Sequence, residues 1–163
     1  MKSGVVWLID AAYVLKGHTG NIDYTQMRRV LQEWAIGYQG GRFDQIIFYN
    51  SYVEGDRRAD AFNIEMERRG FNVKLFPLKQ SNGGRWVQRG VDVAIVTDLL
   101  CMAYEGQFKR VVLSAGDGDF IEAVKRVRLR FQEVWLAGYK DSMSSDLAKE
   151  ADRIFWFLAI LIN

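Results

Sequence analysis

The sequence contains a single cysteine, a single proline and a single histidine among 163 residues. One cysteine excludes a disulfide within the chain, which favours a reducing, intracellular and cytoplasmic compartment. One proline and no low-complexity tract argue against a linker. Because the length is typical of one folding unit, we expect residues 1–163 to form a single domain.

Long hydrophobic runs are also missing. No apolar run reaches about 18 residues, and the N-terminus passes directly into VVWLID without a signal-peptide pattern. The sequence therefore predicts no signal peptide, no transmembrane helix and no membrane partner. The apolar stretch 154–162 is too short to span a bilayer, and we interpret it as core or as a homodimer surface. Cys101 lies in another apolar stretch, VTDLLCMAYE, and we expect its thiol to be buried.

Several well-known catalytic and nucleotide-binding patterns are absent. His18 lies in a predicted loop, and no Ser-His-Asp or Cys-His arrangement can be built around it. Neither a Walker loop nor a GxGxxG fingerprint occurs. These absences disfavour serine or cysteine hydrolases and the common dinucleotide-binding folds.

What the chain does contain is a regular alternation of apolar β-rich runs and amphipathic helices. The predicted strands cover 4–9, 43–50, 71–76, 110–114 and 133–137. Predicted helices begin near Asp23, Asp56, Asp92 and Asp119, and a last one covers 142–149. This alternation predicts a three-layer α/β/α, Rossmann-like fold with a mainly parallel sheet of about five strands.

Four aspartates lie where such a fold places its ligand site. Asp10 ends the first strand, Asp117 and Asp119 follow the fourth strand in VVLSAGDGDF, and Asp92 opens the helix before that strand. Because the carboxyl ends of parallel strands meet at one crevice, we expect the four to converge there. An aspartate at position 10 can also cap the following helix, and the sequence leaves cap and catalytic ligand equally open.

Clustered carboxylates require a cation. Two like charges about 4 Å apart repel by roughly 4 kcal/mol at an effective dielectric of 20. Oxygen ligands without a nearby histidine or cysteine indicate Mg²⁺ or Mn²⁺, and such a site suits phosphodiester hydrolysis. Asp98 falls on a different face of the helix from Asp92, so we interpret it as a second-shell residue or a helix-face charge.

A basic loop, PLKQSNGGRWVQR, occupies 77–89. Stacking on Trp86 and phosphate contacts from Lys79, Arg85 and Arg89 would suit a single-stranded nucleic acid. The alternative is a hairpin whose tryptophan packs back onto the core.

At these residues the sequence resembles the NYN domain family, within the PIN-like nuclease superfamily. The resemblance is carried by VVWLIDAAYV, RGVDVAIVTDLL, VVLSAGDGDF and SSDLAKEADRIFWF, in that order. It implies a PIN-like fold and a metal-dependent ribonuclease acting on RNA. The family's acidic positions are matched by Asp10, Asp92, Asp117 and Asp119, a second aspartate of the helix block by Asp98, and hydrogen bonds at the site are implied for Ser114 and Ser145.

Two positions depart from the family pattern. Tyr13 stands where the family commonly has asparagine, and Ser114-Ala115-Gly116-Asp117 replaces a common Ser-Gly-Asp. The leading hypothesis is an endoribonuclease, with a possible homodimer or regulatory partner protein. The alternative, motivated by Tyr13 and the apolar tail, is a weakly active or inactive RNA-binding or protein-interaction module. A phosphatase or phospho-accepting receiver is disfavoured because the first strand lacks an Asp-x-Asp pair.

Overall fold

The computed structural model describes residues 4–18 and 20–157. Its strands are β1 Val5–Asp10, β2 Gln45–Tyr52, β3 Asn72–Pro77, β4 Lys79–Gln80, β5 Trp86–Val87, β6 Arg110–Ser114, β7 Glu133–Gly138 and β8 Arg153–Trp156. Its helices are α1 Ala11–Lys16, α2 Tyr24–Ile36, α3 Arg57–Arg68, α4 Val91–Tyr104, α5 Ile121–Arg128 and α6 Ser145–Glu150.

Six of the strands form one sheet in the order β3-β2-β1-β6-β7-β8, and every neighbouring pair in it is parallel. The predicted α/β fold is confirmed, and β3 lies at one edge of the sheet. The sheet has six strands where about five were predicted, because β8 forms from part of the apolar tail and pairs with β7. The remainder of that tail, 158–162, lies outside the described residues.

The central strands β1 and β6 are covered by helices on both faces, which is why they are continuously apolar. Every residue of β1 is buried. Trp7 and Val112 pack into a core that includes α2, whereas Leu8 and Leu113 pack into a second core with α4 and α5. The two cores fix the height at which both strands end, and so fix the position of whatever follows them.

Helix starts follow the aspartates that the sequence indicated. Asp23 accepts the N–H of Gln26 at 3.0 Å, and Asp56 caps α3 in the same way. The short helix α1 begins directly after Asp10, the residue that the sequence left open as a helix cap, and its bounds were not predicted.

The predicted burial of Cys101 is wrong, because its side chain is exposed. Helical spacing likewise places Val93 and Ile64 on inward faces, and they are 69% and 53% exposed. Helix α4 is apolar on nearly every side, so periodicity could not indicate which stripe faces the sheet. The buried stripe is instead Val91, Ile95, Leu99, Met102 and Ala103.

Within the described ranges, no helix is long and apolar enough to cross a membrane.

The turn after α5 contains a strained residue. Phe131 has a φ of 61°, the only positive φ at a non-glycine position in the described chain, and its side chain is 95% exposed. A left-handed conformation costs an L-residue roughly 1–2 kcal/mol. The exposed ring provides little packing to offset that cost.

We expect Phe131→Gly to raise the free energy of unfolding by about 0.5–1 kcal/mol, since glycine adopts this conformation without the steric penalty. Phe131→Ala is the matched control, because it removes the ring and keeps the penalty. Urea unfolding of both variants measures the difference. Equal stability of the glycine and alanine variants would contradict the strain.

Candidate metal centre

Three of the four predicted aspartates come together at the carboxyl end of the sheet. One carboxylate oxygen each from Asp92, Asp117 and Asp119 lies within 4.8 Å of the others. Asp92 is in the first turn of α4, which begins after Gly90 at a left-handed φ of 89°. Asp117 follows β6 and caps a short 3₁₀ turn by accepting the N–H of Asp119 at 2.9 Å.

Asp10 lies in the same cleft but outside that group of three. It lines a cavity of about 460 Å³ together with Asp92 and Asp117. Its carboxylate accepts the N–H of Tyr13 at 3.4 Å and so caps α1. The two interpretations of Asp10 are therefore compatible, since one residue both caps a helix and faces the cleft.

The electrostatics of the cleft reflect burial and like charge. Burial raises the pKa of Asp10 from 3.8 to about 6, the Tyr13 amide opposes the rise, and the charge of Asp92 adds to it. The pKa of Asp92 is also raised, first by burial and then by the charges of Asp117 and Asp119. Lys16 is the single cationic side chain among the described residues that line this cavity. The carboxylates thus lack sufficient positive charge from the protein itself.

Tyr13 forms one wall of the cleft. Its hydroxyl accepts the N–H of Tyr139 at 2.7 Å and lies 3.2 Å from the Tyr139 carbonyl oxygen, to which it donates. A Cβ at Gly116 would collide with the Tyr13 ring, and a Cβ at Gly138 would collide with its hydroxyl. The two departures from the family pattern are therefore in contact, because the tyrosine requires glycine beneath it.

None of the described hydrogen bonds joins Asp98, Ser114 or Ser145 to the acidic group. Asp98 accepts hydrogen bonds from Tyr49 and Lys74, both at 2.7 Å, which join α4 to β2 and β3. Ser114 is buried and accepts the indole N–H of Trp7 at 2.9 Å. For Ser145, exposed at the start of α6, the described hydrogen bonds include no side-chain contact with the aspartates.

The neighbouring Ser144 is the serine that supports the acidic turn, a role that was not predicted from the sequence. Its N–H donates to the Gly116 carbonyl at 2.8 Å, and its hydroxyl caps α6 at Leu147. The signal that could have identified it is the serine three residues before Leu147, the spacing of a helix N-cap. Lys16, Gln88 and Ser142 also line the cleft and were not predicted.

The basic loop forms a hairpin, β4 paired with β5 in antiparallel fashion. Trp86 does not pack onto the core, because 52% of it is exposed. Lys79, Arg85 and Arg89 are exposed as well. The hairpin leads directly into the cleft, whose lining includes Gln88 and Gly90.

The NYN domain profile matches residues 4–159. The chain belongs to the NYN domain family. Members of the NYN family are in general ribonucleases, and the acidic group described above lies within the matched residues. This confirms the family indicated by the four sequence blocks.

The chain is similar to a protein of known structure and to a curated protein. A protein of unknown function from Vibrio parahaemolyticus has a crystal structure that superimposes with a TM-score of 0.76 at 26% identity, covering 99% of this chain and 97% of that one. The low amplitude and bright protein LabA of Synechococcus elongatus is 30% identical over 89 residues. That match spans 52% of this chain and 47% of LabA, so it covers about half of the curated relative.

The raised pKa of Asp10 predicts a pH-dependent stability of the metal-free protein. The unfolded chain ionises this carboxyl above pH 3.8 and the folded chain only near pH 6, so stability falls as the pH rises between these values. Asparagine retains the helix cap. We therefore expect Asp10→Asn to be more stable than wild type above pH 6, by about 1–3 kcal/mol.

Urea unfolding across pH in the presence of a chelator measures this effect, and the gain should vanish below pH 3.8. A variant that is destabilised equally at every pH would show that the carboxyl is not under this strain.

Proposed function

We propose that this NYN domain is a metal-dependent endoribonuclease that hydrolyses RNA phosphodiester bonds. The observation that carries the proposal is the approach of Asp92, Asp117 and Asp119 to within 4.8 Å at the carboxyl end of a parallel sheet. Ligands of open α/β sheets bind at that end of the strands. Burial and then the charges of Asp117 and Asp119 raise the pKa of Asp92, a cost that is difficult to explain as a structural feature alone.

The donor set fits a hard divalent cation. Every candidate ligand atom is a carboxylate oxygen, which Mg²⁺ and Mn²⁺ prefer and Zn²⁺ does not require. We assign Asp92, Asp117 and Asp119 as the principal ligands, with Asp10 completing the acidic site from the end of β1. When bound, such an ion polarises a phosphoryl oxygen and lowers the pKa of bound water.

The remaining groups in the cleft have roles that follow from their chemistry. Asp10, which lines the cleft outside the group of three, is the carboxylate suited to accept a proton from the attacking water. Lys16 lines the same cavity and can contact a non-bridging phosphate oxygen. The Tyr13 ring excludes water from one side of the cleft. Its hydroxyl is occupied by the backbone of Tyr139.

The hairpin supports RNA as the substrate. Trp86 offers an exposed aromatic face on which a base can stack, a contact worth roughly 1–3 kcal/mol. Lys79, Arg85 and Arg89 provide cations for backbone phosphates. Contacts of this kind hold a single strand beside the cleft without reading its sequence.

A second candidate function is RNA binding without catalysis. Tyr13 favours it, because its hydroxyl is bonded to the backbone of Tyr139 at the end of β7, where the family commonly has asparagine. The two candidates differ in whether the aspartates bind a metal and cut RNA.

Asp117→Asn tests the enzyme directly. We expect Mn²⁺-dependent cleavage to fall by about 100-fold or more, since the variant loses a ligand charge. Folding should persist, because asparagine can still accept the Asp119 N–H. The matched control is Asp60→Asn, which removes the same charge from an exposed position on α3.

The measurement is cleavage of a mixed RNA pool with Mn²⁺, Mg²⁺ or chelator, with the cut sites mapped. Internal cuts by wild type and the control, and none by Asp117→Asn, are the expected result. Equal cleavage by the two variants would rule out the proposed site, and shortening from the strand ends alone would rule out an endonuclease.

A further inference from the structure

A second groove lies at the amino-terminal ends of the strands, opposite the acidic cleft at their carboxyl ends. It consists of two adjoining cavities of about 550 and 310 Å³, which share Arg42 and Asp44 in their linings. The first lies between α2, the end of α3 and the start of β2, and the second lies at the start of β1 and β6. We call these two cavities together the amino-edge groove.

The lining of the amino-edge groove is strongly basic. Its cations are Arg28, Arg29, Arg42, Arg69, Lys109 and Arg110, whereas Asp44 is the one carboxylate among its described lining residues. That carboxylate lies directly against Gly4, where a Cβ would collide with it. Three of these cations are paired with carboxylates beside the groove, Arg29 with Glu33, Arg69 with Glu65 and Arg110 with Glu133. Among the described ion pairs none engages Arg28, Arg42 or Lys109, so unpaired positive charge still exceeds the single charge of Asp44.

Several of these guanidinium groups are held in place by the protein. Arg28 lies 5.3 Å from the ring centre of Phe71 and donates to the Arg69 carbonyl. Arg69 donates to Glu65 at 3.1 Å and to Thr25 at 3.3 Å. Because a guanidinium carries five N–H donors, each retains further donors for an anion. Groups fixed in this way lose little entropy when they bind a phosphate.

The groove is too distant to share the phosphate at the cleavage point. Gly4 and Val5 line its second cavity, and Asp10 at the other end of β1 lines the acidic cleft. Six strand residues separate the two ends by on the order of 20 Å. A ligand of the groove is therefore either a separate molecule or a distant part of the same strand.

We propose that the amino-edge groove binds the phosphate backbone of single-stranded RNA away from the cleft. Two joined cavities with cations along their length suit a chain whose charges repeat, and arginine matches phosphate oxygens in bidentate fashion. The choice of RNA rests on the proposed function, but the binding itself requires neither the metal nor the aspartates.

The test uses the double variant Arg29→Ala/Arg42→Ala. Both side chains are exposed, so the substitutions should leave the fold intact. The control is Lys125→Ala/Arg126→Ala, which removes the same charge from exposed positions on α5, across the sheet. Affinity for labelled poly(U) is measured by fluorescence anisotropy at several salt concentrations, with chelator present so that the strand stays uncut.

For single strands, the logarithm of the association constant falls with the logarithm of the salt concentration by about 0.7 per phosphate contact. Because two arginines are removed, we expect the slope of the groove variant to be shallower by about 1.4. The control should retain the wild-type slope. Equal losses in both variants would show a general charge effect, and an unchanged groove variant would show no contact. Either result overturns the proposal.

Further measurements identify the class of ligand and distinguish RNA binding by the groove from cleavage at the acidic cleft. A nucleoside triphosphate and polyglutamate are added in turn as competitors of poly(U). If a competitor displaces poly(U) from wild type and has no effect on the groove variant, the groove binds free nucleotides or acidic proteins, respectively. Either result would overturn the RNA proposal. Cleavage of a trinucleotide with Mn²⁺ depends on the cleft alone and should be equal in wild type and the groove variant. A loss of slope without any cleavage by wild type would support the groove and contradict the nuclease.

Discussion

The repulsion among carboxylates at the end of the sheet is the constraint on which the rest of the site depends. Asp92, Asp117 and Asp119 are held close because α4 and the turn after β6 are anchored to buried strands. Asp10 is held by its role as the cap of α1. Burial and neighbouring negative charge raise the pKa values of Asp10 and Asp92. Ionising these carboxyls therefore costs free energy in the folded chain. A bound divalent cation would instead favour the ionised carboxylates.

The contact between Tyr13 and Gly116 shows how two departures from a family pattern can be one structural feature. The tyrosine ring occupies the space above Gly116 and Gly138, and its hydroxyl bonds to the backbone at Tyr139. The extra residue in Ser114-Ala115-Gly116-Asp117 places glycine beneath the ring and still leaves Asp117 in the acidic group. The tyrosine thus alters the wall of the cleft and leaves the carboxylates in place.

Sequence patterns predicted the α/β fold and placed the aspartates at strand ends, because strand and helix periods and strand-end positions are local properties. They left α1 undecided, because a capping aspartate was its one signal, and they did not reveal β8, whose pairing with β7 is non-local. The exposed Val93 and Cys101 escaped prediction because α4 is apolar on nearly all sides. The hydrogen bond from Ser144 to Gly116 and the amino-edge groove depend on distant segments meeting, which no local pattern contains.

The central claim is that the aspartates form a metal site, and calorimetric titration of the chain with Mn²⁺ tests it most directly. We expect saturable binding by wild type that weakens as the pH falls through about 6, since protonated carboxyls are poor ligands. It also predicts that Asp92→Asn removes most of this binding. Absence of binding to wild type at millimolar Mn²⁺ would contradict the account and leave RNA binding without catalysis as the function.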